Sequence, residues 1–218
     1  HAKAARSAEM VSYPSPTIEE ALRFAERAGV KGMAVTIPHK EAVMAYLDSI
    51  DDAAKAIGAV NTVVFKDARL MGYNTDEPGF AEAILAFTQR DSLKGVRAAL
   101  LGNGGAAKAV LAALRRLGAE VEVFHRRSLT DRFDLIVNAT PVDPVEDYSF
   151  AGTEMVYDLR YEPPITPLMA RAKRAGCKVE NGYSMLVAQA KRQIDVFLMH
   201  IGDPVCKLSQ VNLNGNML

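Results

Sequence analysis

The sequence predicts an α/β protein of two domains: an N-terminal α/β domain and a Rossmann-like domain built on a doubly wound parallel sheet. Three observations carry that expectation. Strand-like and helix-like patterns alternate along the chain. The alternation restarts at Ser92-Leu93-Lys94-Gly95, where an apolar strand, a glycine-rich loop and an amphipathic helix follow in close order. The 218 residues are 49% apolar and 24% charged, with 26 basic and 26 acidic side chains, a balance that excludes a disordered chain and a broad nucleic-acid-binding surface.

The elements follow in order. Residues 17–28, TIEEALRFAERA, place Ile18, Leu22 and Ala25 on one helical face, with Thr17 and Glu20 as a capping box and Gly29 as the stop. A strand over 33–37 ends at Pro38, which has no N–H to donate. A helical stretch from Lys40 to Leu47 and a short helix over 52–57, closed by Gly58, come next. AVNTVVFKD reads as a strand, RLMGYNTDEPG as a return and loop, and EPGFAEAILAFTQ as a helix. In the second half RAALL (97–101), EVEVF, DLIVNAT (134–140), EMVYDL (154–159) and CKVEN read as strands. AKAVLAALRRLG and TPLMARAKRAG read as their crossover helices, which implies a parallel sheet. NGYSMLVAQAKRQIDVFLMH is a long final helix, and the stretch after Gly202 is irregular.

Between the first strand of the second half and its helix lies GNGGAAK, in which Gly102, Gly104 and Ala107 fit G-x-G-x-x-G/A. Each position has a physical role: a tight turn, close approach of a pyrophosphate to the backbone, and close helix packing. The free N–H groups of the helix start then meet the anion. Where a diol-binding acid would end the next strand, the chain instead has His125-Arg126-Arg127. Two guanidinium groups suit a 2′-phosphate, so NADP is favoured over NAD. A plain strand-to-helix turn and a solvated pair of arginines are the alternatives.

A nicotinamide enzyme that reduces a carbonyl also needs a proton donor and polar groups to hold substrate. The second half offers few at its strand ends, so the first half is expected to carry the substrate, on TIPHK, GAVNT and GYNTD. Lys40 is a plausible acid–base group. Asp76, ahead of Glu77-Pro78, is equally a natural helix cap. Asn61 and Thr36 either face solvent or project into a cleft. His39 is adjacent to Lys40 in sequence and is expected to point away as a bystander.

Taken together, VTIPHKE, IGAVNTVV, GYNTDEPG, LGNGGAAKAV, VFHRRS, DLIVNATP, VYDLRY and NGYSMLVAQA resemble the shikimate dehydrogenase family in order and spacing over about residues 17 to 200. The resemblance implies an NADP-dependent enzyme that reduces 3-dehydroshikimate to shikimate on the route to aromatic amino acids. It implies Lys40 as the catalytic lysine and Asp76 as its partner. Thr36, Asn61, Tyr161 and Gln189 are the implied substrate contacts. Gly102, Asn103, Gly104, Gly105 and Ala106 would hold the cofactor phosphates, Arg126 and Arg127 the adenosine ribose, and Gly182 and Met185 would line the nicotinamide pocket. The implied division is a substrate-binding domain over 1–92, completed by a C-terminal helix in 183–218, and an NADP-binding domain over 93–182. Related readings are a quinate/shikimate dehydrogenase using NAD and a cofactor-binding homologue without turnover; the enzyme could also form one half of a longer polypeptide.

The chain departs from the family pattern in two places. The family's opening strand with a Ser-x-Ser segment is not matched, since Ser12-Tyr13-Pro14-Ser15-Pro16 directly precedes the first helix. The connection Ser128–Phe133 is also shorter than the dozen or more residues that a parallel crossover normally takes. Omission of segments, through truncation or disorder, is the expected explanation of both, with a naturally miniaturised protein as the alternative. Two cysteines, Cys177 and Cys206, without metal-ligand spacing favour a reduced, cytoplasmic setting and no metal. No apolar run reaches membrane-spanning length. The expected partners are therefore the small-molecule substrate, no nucleic acid, no membrane, and at most a second copy in a homodimer.

Overall fold

The computed structural model describes residues 10–125, 129–143 and 145–201. It contains two sheets. The first half begins with helix α1 (Ile18–Arg27), whose Thr17 side chain accepts a hydrogen bond from Glu20 N and whose buried face is Ile18, Leu22 and Ala25. Strand β1 (Gly32–Ala34), a 3₁₀ helix (Ala42–Tyr46), strand β2 (Ser49–Ile50) and helix α2 (Asp52–Ile57) follow. Strands β3 (Thr62–Lys66) and β4 (Arg69–Tyr73) then form a hairpin. The sheet order is β1-β3-β4-β2, antiparallel except for the β2–β4 pair.

Three expectations of the sequence are corrected here. The strand expected over 33–37 stops at Ala34, because Ile37 stands 74% exposed with no core to meet and Pro38 cannot extend a ladder. The helix expected over 40–47 is only the 3₁₀ helix. The stretch RLMGY, read as a return, is the full strand β4. Its partner register runs from Thr62↔Tyr73 to Lys66↔Arg69 around a two-residue turn, with Asp67 and Ala68 both at positive φ (51° and 57°). That is the backbone of a two-residue hairpin turn, reached here without the Asn-Gly or Asp-Gly pair that usually marks it.

Helix α3 (Asp76–Thr88) leads into the second half, where strands β5 (Arg97–Leu101), β6 (Glu120–Phe124), β7 (Leu135–Asn138), β8 (Met155–Asp158) and β9 (Lys178–Asn181) make one parallel sheet in the order β6-β5-β7-β8-β9. Helices α4 (Gly105–Arg116) and α5 (Pro167–Arg174) are its crossovers, and α6 (Tyr183–Ile201) closes the fold. The doubly wound arrangement is as expected. Strands buried on both faces read as near-continuous apolar runs, and β5 divides its side chains between two cores. Ala98 and Leu100 join Val110, Leu114 and Tyr157 on one face; Ala99 and Leu101 join Phe124, Leu168 and Ala172 on the other.

Residues 126–128, within the short connection between β6 and β7, lie outside the described residues. Residues 129–134 form no helix. Leu129 and Phe133 instead press directly on the second core, with the Phe133 and Phe124 rings edge to face at 5.5 Å. Apolar side chains from an irregular segment cover the face where a crossover helix would otherwise lie.

Helices α3 and α6 belong to both halves. Phe80, Ile84 and Phe87 of α3 and Met185 of α6 pack into the first core of the parallel sheet. Further along α6, the Phe197 ring fills the space beside Gly32 of β1, where a Cβ would sit 2.5 Å from it.

Candidate active site

Lys40 lies beyond Pro38 on the loop that leaves β1, and Asp76 is the first residue of α3. The segment ahead of β3 helps draw them together, since Val60 N donates to Lys40 O at 2.8 Å. Lys40 Nζ donates to Asp76 Oδ2 at 2.6 Å, with the two side chains 14% and 5% exposed. A short ammonium–carboxylate bond largely shielded from water is charge-assisted and holds its geometry.

Asp76 does not cap its helix. Asn74 does: its Oδ1 accepts from Asp76 N at 3.0 Å and Glu77 N at 3.1 Å, while its Nδ2 donates to Ala59 O. The Asp76 carboxylate is thereby left for Lys40 and for Asn61, whose Nδ2 donates to Asp76 Oδ1 at 2.9 Å. The protons of Asn61 Nδ2 are shared with Thr75 Oγ1 (2.9 Å) and Gln189 Oε1 (3.2 Å). Gln189 reaches in from α6 and is held by its own Nε2, which donates to Leu186 O. Its approach depends on Gly79 of α3, where a Cβ would stand 2.7 Å from Gln189 N. Asn61, Thr75 and Asp76 are all buried.

The glycine loop adjoins this cluster. A Cβ at Gly105 would lie 3.0 Å from the Cβ of Lys40, so the lysine stem rests against the first residue of α4. Gly102 has φ +116° and leaves only 3.0 Å to Ala139 O, a position that a side chain would strain. Gly104 precedes α4 with no side-chain cap, and a Cβ there would meet nothing within 4 Å. Open space over uncapped N–H groups at a helix start is what a dinucleotide pyrophosphate needs, so these residues fit NADP. Asn103 is exposed and Ala106 half-buried at the same turn.

The remaining sequence-predicted residues are placed less centrally. Gly182 sits where a Cβ would fall 1.9 Å from Leu159 O, so only glycine fits. Met185 is buried in the core beside Tyr157, whose hydroxyl is pushed up to about 12 by burial and meets Ser184 Oγ at 2.9 Å. Tyr161 is 47% exposed and Thr36 is exposed; among the described residues neither side chain makes a hydrogen bond. Arg126 and Arg127 lie outside the described residues. His39 turns away as expected, its Nε2 meeting Ser15 O at 2.9 Å.

The structure also brings in residues that the sequence did not single out: Asn74, Thr75, Thr62 and Gln193. Asn74 with Glu77 three residues later is a cap signature that could have been read. Thr62 and Gln193 carried no such signal. Two surface grooves, of about 330 and 340 Å³, are lined by Asp51, Tyr73 and their neighbours and by neither Lys40 nor Asp76, so the side-chain cluster, and not these grooves, marks the candidate site. Among the described residues no group of His, Cys, Asp and Glu could hold a metal ion, and no helix is long and apolar enough to cross a membrane.

Comparison with known proteins bears on the same features. Residues 2–63 match the model of the shikimate dehydrogenase substrate binding domain. The shikimate dehydrogenase (NADP(+)) of Caldanaerobacter subterraneus subsp. tengcongensis is 36% identical over 209 residues, which cover 79% of this chain and 74% of that protein. Among solved structures, shikimate 5-dehydrogenase from Thermus thermophilus in complex with NADP(H) and shikimate is 35% identical, with a TM-score of 0.76 over 88% of this chain and 82% of that one. A chorismate mutase/shikimate 5-dehydrogenase fusion protein from Clostridium acetobutylicum is 28% identical, with a TM-score of 0.73 over 87% and 79% of the two chains.

Proposed function

The chain belongs to the shikimate dehydrogenase family, and on that premise we propose that it interconverts 3-dehydroshikimate and shikimate with NADP, using Lys40 as the acid–base group and Asp76 as its partner. The observation that carries the residue assignment is the Lys40–Asp76 pair at 2.6 Å, braced by Asn61 and lying against the glycine loop.

NADPH, when bound, supplies the hydride. The Lys40 ammonium stabilises the alkoxide that develops on the substrate ketone oxygen and gives it a proton. Asp76 keeps the lysine aimed, and a neutral Lys40 takes the proton back in the reverse direction. Asn61, Thr75 and Gln189 offer a mixed set of donors and acceptors suited to ring hydroxyls. Gly102, Gly104 and Gly105 leave the backbone open to the pyrophosphate, while the assignments of Asn103, Ala106, Arg126, Arg127, Gly182, Met185, Thr36 and Tyr161 rest on the family resemblance.

The reading assigns residues 1–92, together with the helix in 183–218, to substrate and residues 93–182 to NADP. The reach of Gln189 from α6 to Asn61 supports that division. It also takes the enzyme to be cytoplasmic and a monomer or homodimer. The test is NADPH formation from shikimate, followed by absorbance, with NAD and quinate as competing cofactor and substrate. Turnover with shikimate and NADP that is lost in Lys40→Ala is expected. Equal or better turnover with NAD and quinate, or NADP binding without turnover, would replace this reading.

A further inference from the structure

Gln193 stands one helical turn beyond Gln189 on the same face of α6 and is buried, 7% exposed. Its Nε2 donates to Asn61 O at 3.0 Å and to Thr62 Oγ1 at 2.9 Å. Thr62 Oγ1 in turn donates to Asn61 Oδ1 at 2.8 Å. We propose that Gln193 is a positioning residue for the Lys40–Asp76 pair, acting through a one-way chain of hydrogen bonds that fixes which end of the Asn61 amide faces Asp76. The proposal rests on the functional reading above and deepens it.

The direction of each bond is forced by its partners. Asn61 O is a carbonyl and can only accept, and it already accepts from Val35 N at 2.8 Å, so the Gln193 atom facing it must be nitrogen. That nitrogen has protons for both oxygens, so Thr62 Oγ1 receives one and must send its own proton elsewhere. The remaining partner is Asn61 Oδ1. At the far side Thr75 N, which can only donate, points at the same Oδ1 at 2.9 Å. With its oxygen claimed from both directions, the Asn61 side chain has only its NH₂ to present to Asp76 Oδ1, and the carboxylate is left with its other oxygen for Lys40. A buried network of this kind behaves as a unit rather than as separate pairs.

Three variants test it: Gln193→Leu, Gln193→Glu and Thr62→Val, with the double variant Gln193→Leu/Thr62→Val. Loss of one such bond is expected to lower kcat for shikimate oxidation by about tenfold in Gln193→Leu and in Thr62→Val, with KM for NADP unchanged. The double variant should fall by no more than about twofold beyond either single one, because both cut the same chain. Gln193→Glu keeps the size but cannot donate; it draws the Thr62 proton to itself and should lose at least as much. In parallel, hydrogen exchange of the Asn61 side-chain NH₂, assigned by its absence in Asn61→Asp, should be slow in the parent protein and faster in all four variants.

A purely packing role would lower the melting temperature and leave kcat and the Asn61 exchange as they were. That result, or losses that multiply in the double variant, would overturn the proposal. The exchange measurement judges the relay even if the parent protein fails to oxidise shikimate, a failure that would fall on the functional reading alone.

Discussion

Replacing Lys40 with alanine leaves Asp76, 5% exposed at its side chain, with Asn61 as its remaining side-chain donor. Turnover in Lys40→Ala is expected to fall by roughly 10²-fold or more, the lower end for losing a general acid, as read in the shikimate assay with NADP. Asn74→Ala makes a different demand. It removes the cap of α3, at about 1 kcal/mol of stability, and frees the first turn that aims Asp76. Both a lower urea midpoint and a lower kcat are expected, whereas a change in the midpoint alone would mean that Asp76 holds its place without the cap. The pairing of Lys40 with Asp76 was legible in the sequence because their neighbours carry a recognisable order of motifs. The cap carried a signal in Asn74 with Glu77 three residues later, but Asn74, Thr75 and Asp76 compete for it and geometry decides between them. Gln193 was hidden for another reason: its partners, Asn61 and Thr62, lie far back in the chain.

At the level of elements, helices α3 and α6 meet so closely at Gly79 that no side chain fits there. Gly79→Ala is expected to cost about 1–3 kcal/mol through overpacking and to displace Gln189, so kcat/KM should fall with the denaturation midpoint. The loop ahead of β8 carries a separate, pH-dependent contribution. Glu154 is buried, which alone would raise its carboxyl, but donors that include Ala151 N, Cys177 and Tyr148 outweigh this and hold it below its ordinary 4.5. A carboxyl lowered in the folded state stabilises above its unfolded value and loses that contribution as the pH falls through its folded one. Stability should therefore decline below about pH 4.5, and Glu154→Gln should be less stable at neutral pH with a flatter acid side in melts taken across that range. The parallel strands were readable because apolar runs broken by glycine loops leave few alternatives. Strand β4 was not, because the Asp67–Ala68 turn lacks the glycine that announces a hairpin.

Over the whole molecule, the two sheets are tied by the helices they share. Phe80 and Ile84 of α3 lie in the same core as Leu100 and Tyr157 of the parallel sheet, while α6 carries Gln193 and Phe197 to the first sheet. Ion pairs between Glu77 and Arg116 at 2.7 Å and between Glu41 and Lys108 add links between the halves. Unfolding is expected to be a single cooperative event: tryptophans placed at Phe65 and at Phe133 should report the same urea midpoint, and separated midpoints would show that the sheets melt independently.

The contact between Gly105 and Lys40 carries one more consequence, for substitution. A glycine at the head of a phosphate loop is ordinarily explained by the anion it admits, and a designer altering cofactor choice would treat position 105 as part of that loop. In this chain the methyl of an alanine at 105 would press on the stem of the lysine, at 3.0 Å. On the proposed reading, cofactor exchange and catalytic rate share one atom's worth of room, and changes that re-tune the first at this position are felt at once by the second.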